Sequence, residues 1–598
     1  MSVSASVMED MLTSAVAALD QIKMPTGTGW NGHAQHEWST DKRIIGLQER
    51  FVQLYFQTVR PSHGASGGKG HLNKLADEQK LLIEDCFKTD PDDHSGVMSC
   101  LRRLPLQTRD IDGGKGERDL AYNQVLVWYG YSPEFAESVV RRWVTPVSEK
   151  DAPFGSWKDI KLFIQFICDT QPDGRKHPLV KFAIGLLVEQ LRRDKDSEHP
   201  SLAAKWTPSE KCKRFSWIFK QIATQMFLEE PHWKVMIEPD TSGQKKFNNA
   251  YRSLRKMLSD INRRLDVTEV KMCSKHFADI DFTHVPSVTM QKNKRAFMNL
   301  PRENRKYKKY IKSASETVRV EDDDRVACAD HLKEHTTKAE HGEVEIKAKT
   351  TSLYDMVRDA LNLFHKRLPI ESMERRVLEE QWKSNRLHNN TSGLPPMIPL
   401  VDVSGSMTIN NSIPLFYAIG LGLRASEMTH PAFRNRIMTF ETNPKWVALP
   451  EDATFVERVG KISQAPWGNS TDFYKALKMI LEQFVENEIP PEVAKGMVLA
   501  VFSDMQINQA DRQTQYDSMQ TRIEEMYREH GYEPPHILYW NLNGTSGFPS
   551  VTTKNNISMV SGFSPALLKA FEEKGIDELA SYTPWRLVQE IMMKPRYD

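Results

Sequence analysis

The chain is 598 residues long, too long for one ordinary hydrophobic core, so two or more domains are expected. Its 39% hydrophobic and 27% charged residues are those of a globular protein, and no apolar run is long enough to cross a bilayer, which argues against a membrane span. The net charge of +1 conceals an asymmetry: residues 394–598 carry 18 Lys+Arg against 24 Asp+Glu, while the rest carries 62 against 55.

The N-terminal MSVSASVMEDMLTSAVAALDQI lacks the basic and clean apolar regions of a signal peptide. Six scattered cysteines (Cys86, Cys100, Cys168, Cys212, Cys273 and Cys328) show no C-x-x-C spacing. Neither a zinc site nor a disulfide framework is suggested, and an intracellular, cytoplasmic location fits. Residues 1–43, with the glycine-rich PTGTGWNGHAQH, read as a flexible N-terminal segment. Between about 74 and 390 nearly every segment reads as helix, for example RDLAYNQVLVWYG, WKDIKLFIQFICD and PLVKFAIGLLVEQLRRDK, with apolar residues three and four apart. Short connections suggest a HEAT-like helical-repeat domain over 44–393, although no strict period is visible. The charged stretch 312–350 is expected to be a mobile insertion, and LHNNTSGLPP at 387–396 a linker.

From 394 to 598 the pattern changes to alternating strands and helices. PMIPLVDV, RIMTF, GMVLAVFSD, HILYWNL and ISMVSGF read as strands, and SPALLKAFEEKG as the last clear helix. This implies a Rossmann-like, mostly parallel sheet covered on both faces. Ligand sites in such sheets lie at the carboxyl ends of the strands.

Three loops at those ends carry oxygen ligands. The first is Asp402-Val403-Ser404-Gly405-Ser406, the second Gly468-Asn469-Ser470-Thr471-Asp472, and the third Phe502-Ser503-Asp504. Hydroxyls and carboxylates in this number suit a hard cation such as Mg²⁺ or Mn²⁺. A plain strand-to-helix turn with serine caps is the bland alternative. The three loops together resemble the von Willebrand factor A metal-dependent adhesion site (MIDAS). That resemblance implies Ser404, Ser406 and Thr471 as direct or near-direct ligands, with Asp402 and Asp504 binding directly or through water. It also implies an acidic protein ligand completing the shell. The set has no His base, Cys nucleophile or catalytic carboxylate pair, so no enzyme is expected.

In the front half, Arg109-Asp110-Ile111-Asp112-Gly113-Gly114-Lys115-Gly116-Glu117-Arg118-Asp119 precedes a helix. Its glycine amides, Lys115 and Arg118 suggest a phosphate cradle, though the P-loop spacing is absent. The alternative is an inter-helix turn whose charges pair with each other. From Gln291 to Val320 the chain holds ten Lys/Arg against two acids. Lys294, Arg295, Arg305, Lys306, Lys308 and Lys309 would engage phosphates, and Tyr307 and Tyr310 offer stacking faces worth about 1–3 kcal/mol per base. A solvated helix face with the aromatics turned inward is the alternative.

With Gly155-Ser156-Trp157-Lys158-Asp159, Ala204-Lys205-Trp206-Thr207-Pro208 and the LVDVSGSM, FSDMQ, YWNLN and VSGFS segments, these motifs resemble the DUF2828 family of plants, protists and large DNA viruses. That family is similar in turn to TROVE/Ro proteins, in which a ring of helical repeats is closed by a von Willebrand A domain. The resemblance implies an α + α/β architecture and raises RNA, small and structured or single-stranded, as a partner. The expected function is a non-enzymatic Ro-like scaffold that binds RNA through its helical domain and an acidic partner through the cation. The rival is a metal-dependent protein-interaction or assembly component without an RNA role, a virion component if the source is viral. Trp157, Trp206 and Trp382 are expected to be packing anchors.

Overall fold

The computed structural model describes residues 26–28, 34–60, 67–146, 148, 151–228, 243–300, 320–389, 395–440, 443–465, 473–505, 516–544, 547–550, 552, 554–571 and 581–598. Local sequence starts its helices. Ser132 accepts from the Phe135 N–H at 3.3 Å and is followed by Pro133, whose missing N–H costs nothing at the first helical position. Ser156 with Asp159, and Thr454 with Glu457, form capping boxes that open helices Trp157–Thr170 and Phe455–Ser463.

The N-terminal region is helical from Ile44–Gln57 through Met373–Asn389. Before it lies a small antiparallel hairpin of β1 (Thr26–Thr28) and β2 (Ala34–His36). After it comes a six-stranded sheet of β3 (Met397–Asp402), β4 (Arg436–Phe440), β5 (Trp446–Ala448), β6 (Val498–Ser503), β7 (His536–Asn541) and β8 (Ile557–Ser561). The order is β5-β4-β3-β6-β7-β8, and every pairing is parallel except β4 with β5. The five expected strands are all present. The edge strand β5, three residues long, is too short to show a period. SPALLKAFEEKG was expected to be the last helix; Pro565–Phe571 is a 3-10 turn, and helix Pro584–Met592 follows it.

Helix Ile409–Glu427 lies on β3, and Gly422 sets its closeness: a Cβ there would meet Val401 Cγ2 at 2.3 Å. Fully buried β3, β6, β7 and β8 need apolar cover on both faces. The front of the chain supplies part of it. Helix Ile44–Gln57 packs on β8 and on Pro584–Met592, and one core joins Leu47, Phe51 and Leu101 with the sheet residues Val401, Phe502 and Trp540. The largest core therefore crosses the expected boundary near 394. A second core fills the helical region around Trp143, Phe163 and Leu187.

A third, smaller core corrects the expectation for 312–350. Residues Asp323–Glu340 form a helix that buries Cys328, Leu332, Thr336 and Ala339. A high content of charge hid a narrow buried stripe. Residues 312–319 lie outside the described ones. All six cysteines are unpaired. Among the described residues no helix is long and apolar enough to cross a membrane.

Candidate metal centre

The strand order reverses at β3, which has β4 on one side and β6 on the other. Such a switch point opens a crevice at the carboxyl ends of the strands. Asp402 is the last residue of β3, and Asp504 directly follows β6. The register Val401↔Phe502 places Asp402 beside Ser503, one residue before Asp504. Both carboxylates are buried.

Asp402 is held from both sides. Its Oδ1 accepts from the Ser404 N–H at 2.8 Å, and its Oδ2 accepts from the Ser503 hydroxyl at 2.6 Å. Ser503 Oγ in turn accepts from the Met505 N–H at 3.0 Å. Met505 sits at φ +63°, a left-handed conformation rarely adopted by a residue with a side chain, so the backbone bends sharply past Asp504. The Ser404 and Ser406 hydroxyls, both half-buried, lie 2.9 Å apart. Burial pushes the Asp402 carboxyl above its ordinary value, against the hydrogen bonds from Ser503 and Ser404 that lower it.

These residues fit a hard divalent cation. Two buried carboxylates at adjacent strand ends, with two hydroxyls converging beside one of them, form an all-oxygen donor set whose negative charge burial disfavours. Among the described residues no group of three or more His, Cys, Asp or Glu is placed to hold a metal ion, so a cation here would depend on the hydroxyls as well as the two carboxylates. Thr471 lies outside the described residues, just before helix Phe473–Glu486. Ser503 was not expected as a site residue. Its Ser-Asp context at a strand end is a signal that it would orient a neighbouring carboxylate rather than bind the ion.

The residues expected to touch nucleic acid fall into two groups. Arg305, Lys306, Tyr307, Lys308, Lys309 and Tyr310 lie outside the described residues. The others are engaged. Lys294 pairs with Asp359 at 2.8 Å, and Arg295 with Glu374 at 2.6 Å. Arg118 donates to Asp159 at 3.0 Å.

Lys115 corrects the phosphate-cradle expectation. Its ammonium is buried and donates to Tyr55 O at 2.7 Å, Thr58 O at 2.8 Å and Ser561 Oγ at 2.7 Å. It also lies 3.8 Å from the centre of the Tyr55 ring. Burial drives its pKa well below the ordinary lysine value. The two carbonyls belong to the C-terminal end of helix Ile44–Gln57, where backbone dipoles favour a cation. The loop's charges do not pair mainly with each other either. Asp110 takes Arg596, Glu117 takes Arg60, Asp112 takes Lys349, and Arg109 with Arg118 takes Asp159. This loop joins the helical region to the last residues of the chain.

Comparison with known proteins assigns families to two stretches. Residues 186–390 match the family described as Domain of unknown function (DUF2828), and residues 397–591 match Domain of unknown function (DUF7788). The expected resemblance to DUF2828 is matched over the first stretch, while the sheet region falls under a second description. The chain is also 26% identical over 487 residues to Uncharacterized protein L728 of Acanthamoeba polyphaga mimivirus, covering 78% of this chain and 75% of that protein.

Proposed function

We propose that this DUF2828-bearing chain is a non-enzymatic scaffold whose C-terminal sheet region is a von Willebrand A-type module that captures an acidic partner through Mg²⁺ or Mn²⁺. The observation that carries the reading is Asp402, a buried carboxylate at the switch point, held by Ser503 and Ser404 beside the converging hydroxyls of Ser404 and Ser406. Asp402, Asp504, Ser404 and Ser406 would hold the cation, with Thr471 as a further ligand. The cation, when bound, supplies positive charge for a carboxylate of the partner. The sheet order with a single antiparallel edge strand supports the module assignment.

The helical region is proposed to be TROVE-like. In support, it meets the sheet region at both its ends: helix Ile44–Gln57 packs on β8, and helix Leu353–His365 on Ile409–Glu427 and Phe455–Ser463. A nucleic-acid role for the stretch 291–320 rests on residues 305–310. Lys294 and Arg295 do not favour it, being ion-paired.

Thermal melting of the full chain in EDTA and in rising Mg²⁺ or Mn²⁺ tests the metal reading. A bound cation should stabilise by about 2.7 kcal/mol at a hundredfold excess over its dissociation constant. Asp402→Ala should remove that dependence and abolish cation-dependent binding of an acidic peptide. A melting temperature that ignores the cation in the native chain would sink the proposal.

A further inference from the structure

The helical region carries a second cluster that the metal centre does not use. Lys158 and Lys161 stand three residues apart on helix Trp157–Thr170 and so share one face. Lys205 and Trp206 end the short helix Ala203–Trp206. The ammonium groups of Lys158, Lys161 and Lys205 lie 5.3, 4.9 and 5.9 Å from the centre of the one Trp206 ring. Two sequence segments noted above, around Trp157 and Trp206, thus meet in space. Trp206 is a packing residue, as expected, but its ring is also the floor of a basic cluster.

The anions nearby are already committed. Lys205 pairs with Glu269 at 3.0 Å, and Asp159 is held by Arg109 and Arg118. Among the described residues neither Lys158 nor Lys161 has an ion pair, nor does the exposed Lys292. Lys158 and Lys161 are half-buried. Burial, together with the charges of Arg118, Lys292 and Lys161, pulls the Lys158 ammonium down to about 8, against the neighbouring charge of Asp159. Burial and Lys292 lower Lys161 as well, while Cys212 opposes them. A ring quadrupole attracts each cation only weakly and leaves like charges facing one another. Two half-buried ammonium groups at one ring, neither of them in an ion pair among the described residues, suit an anion carrying more than one charge, and rotatable ammonium donors suit tetrahedral phosphate oxygens.

We propose that Lys158 and Lys161, beside the Trp206 ring, form a phosphate-binding site on the helical region that takes a phosphate ester. The same chemistry is presented by a small phosphorylated ligand and by the backbone of a nucleic-acid strand. The site is separate from the proposed cation and works without it.

The test uses the full chain in EDTA, which silences the metal centre, and two probes: inorganic pyrophosphate by calorimetry and a fluorescent oligouridylate by anisotropy. Losing two phosphate contacts on a single strand should lower the salt slope by about 1.4, which is about 25-fold in affinity near 0.1 M salt. Lys158→Gln with Lys161→Gln should show that loss. Lys461→Gln with Lys478→Gln, the same charge change at exposed positions of the sheet region, should not. Lys158→Arg with Lys161→Arg keeps the charge and should bind within a few-fold of native, which separates loss of the site from loss of the fold. If both probes weaken, the strand backbone is the source. If pyrophosphate binds and weakens but oligouridylate never binds, the source is a small phosphate ester. Native binding of neither probe, or equal losses in the Gln variant and the sheet-region control, would overturn the proposal.

Discussion

Asp159→Asn keeps the size of the side chain and removes its charge. In the native chain Asp159 accepts from Arg109 Nε and Nη2 at 2.8 Å each, from Arg118 Nε at 3.0 Å and from the Tyr122 hydroxyl at 2.7 Å. The Arg109 and Asp159 side chains are 1% and 0% exposed, so the variant strands a guanidinium that water cannot reach. Removing one partner of a buried pair costs about 3–5 kcal/mol. Arg118 is half-exposed and returns to water, which adds at most about 1 kcal/mol. Urea melts followed by tryptophan fluorescence read the loss directly, because Trp143 and Trp157 belong to the same core. With a slope near 3 kcal/mol/M, the midpoint should fall by about 1–2 M. Burial alone would raise the Asp159 carboxyl, yet Arg109, Arg118 and Tyr122 hold it well below the usual range. A depressed folded value means the contribution is present above the unfolded value of about 3.9 and is lost as pH falls through the folded one. The gap between native and variant should therefore narrow in acid. A variant midpoint equal to native at neutral pH would refute the reasoning, because Arg109 would then be compensated by something other than Asp159.

Arg596→Gln should cost about 2–3 kcal/mol, because Asp110, fully buried, loses two charge-assisted bonds at 2.7 and 2.9 Å. Faster proteolytic release of the chain's last residues would report it. Gly460→Ala should cost about 1–3 kcal/mol in a thermal melt, since its Cβ would stand 2.3 Å from a Phe364 ring carbon where two helices meet. Glu49 gives a pH dependence of the opposite sign to Asp159. Burial and Asp41 raise its carboxyl to about 7, against a bond from Ser39. Its stabilising contribution is full below the unfolded value of about 4.3 and is lost as pH rises through about 7. Glu49→Gln should flatten that slope when urea midpoints are compared between about pH 5 and about pH 8.

The sheet region was legible because its signals are local. Strands such as Val498–Ser503 are continuous apolar runs, and the Asp402 and Asp504 loops sit where such runs stop. What the chain does over long separations was not legible. Lys115 looks like an anion-binding lysine beside its glycines, and the approach of the Tyr55 and Thr58 carbonyls and of Ser561, 446 residues away, makes it a buried strut. The same limit hid the two-part site at Trp206, whose lysines come from segments more than forty residues apart and show no joint pattern until they fold together. Helix Asp323–Glu340 was missed for a different reason. Its buried stripe is built from Cys, Leu, Thr and Ala among acids and lysines, which gives little apolar contrast to read.

The bond from Lys115 to Ser561 also carries a time. Translation at roughly 5–20 residues per second separates the emergence of its two ends by about 20–90 s. Throughout that interval Leu47, Phe51 and Phe56, fully buried in the finished protein, wait for the sheet that will cover them. A ribosome stalled shortly before β8 would leave uncovered the face of helix Ile44–Gln57 that packs on β8 and on Pro584–Met592, while Gly67–Thr89 already lies against the same helix.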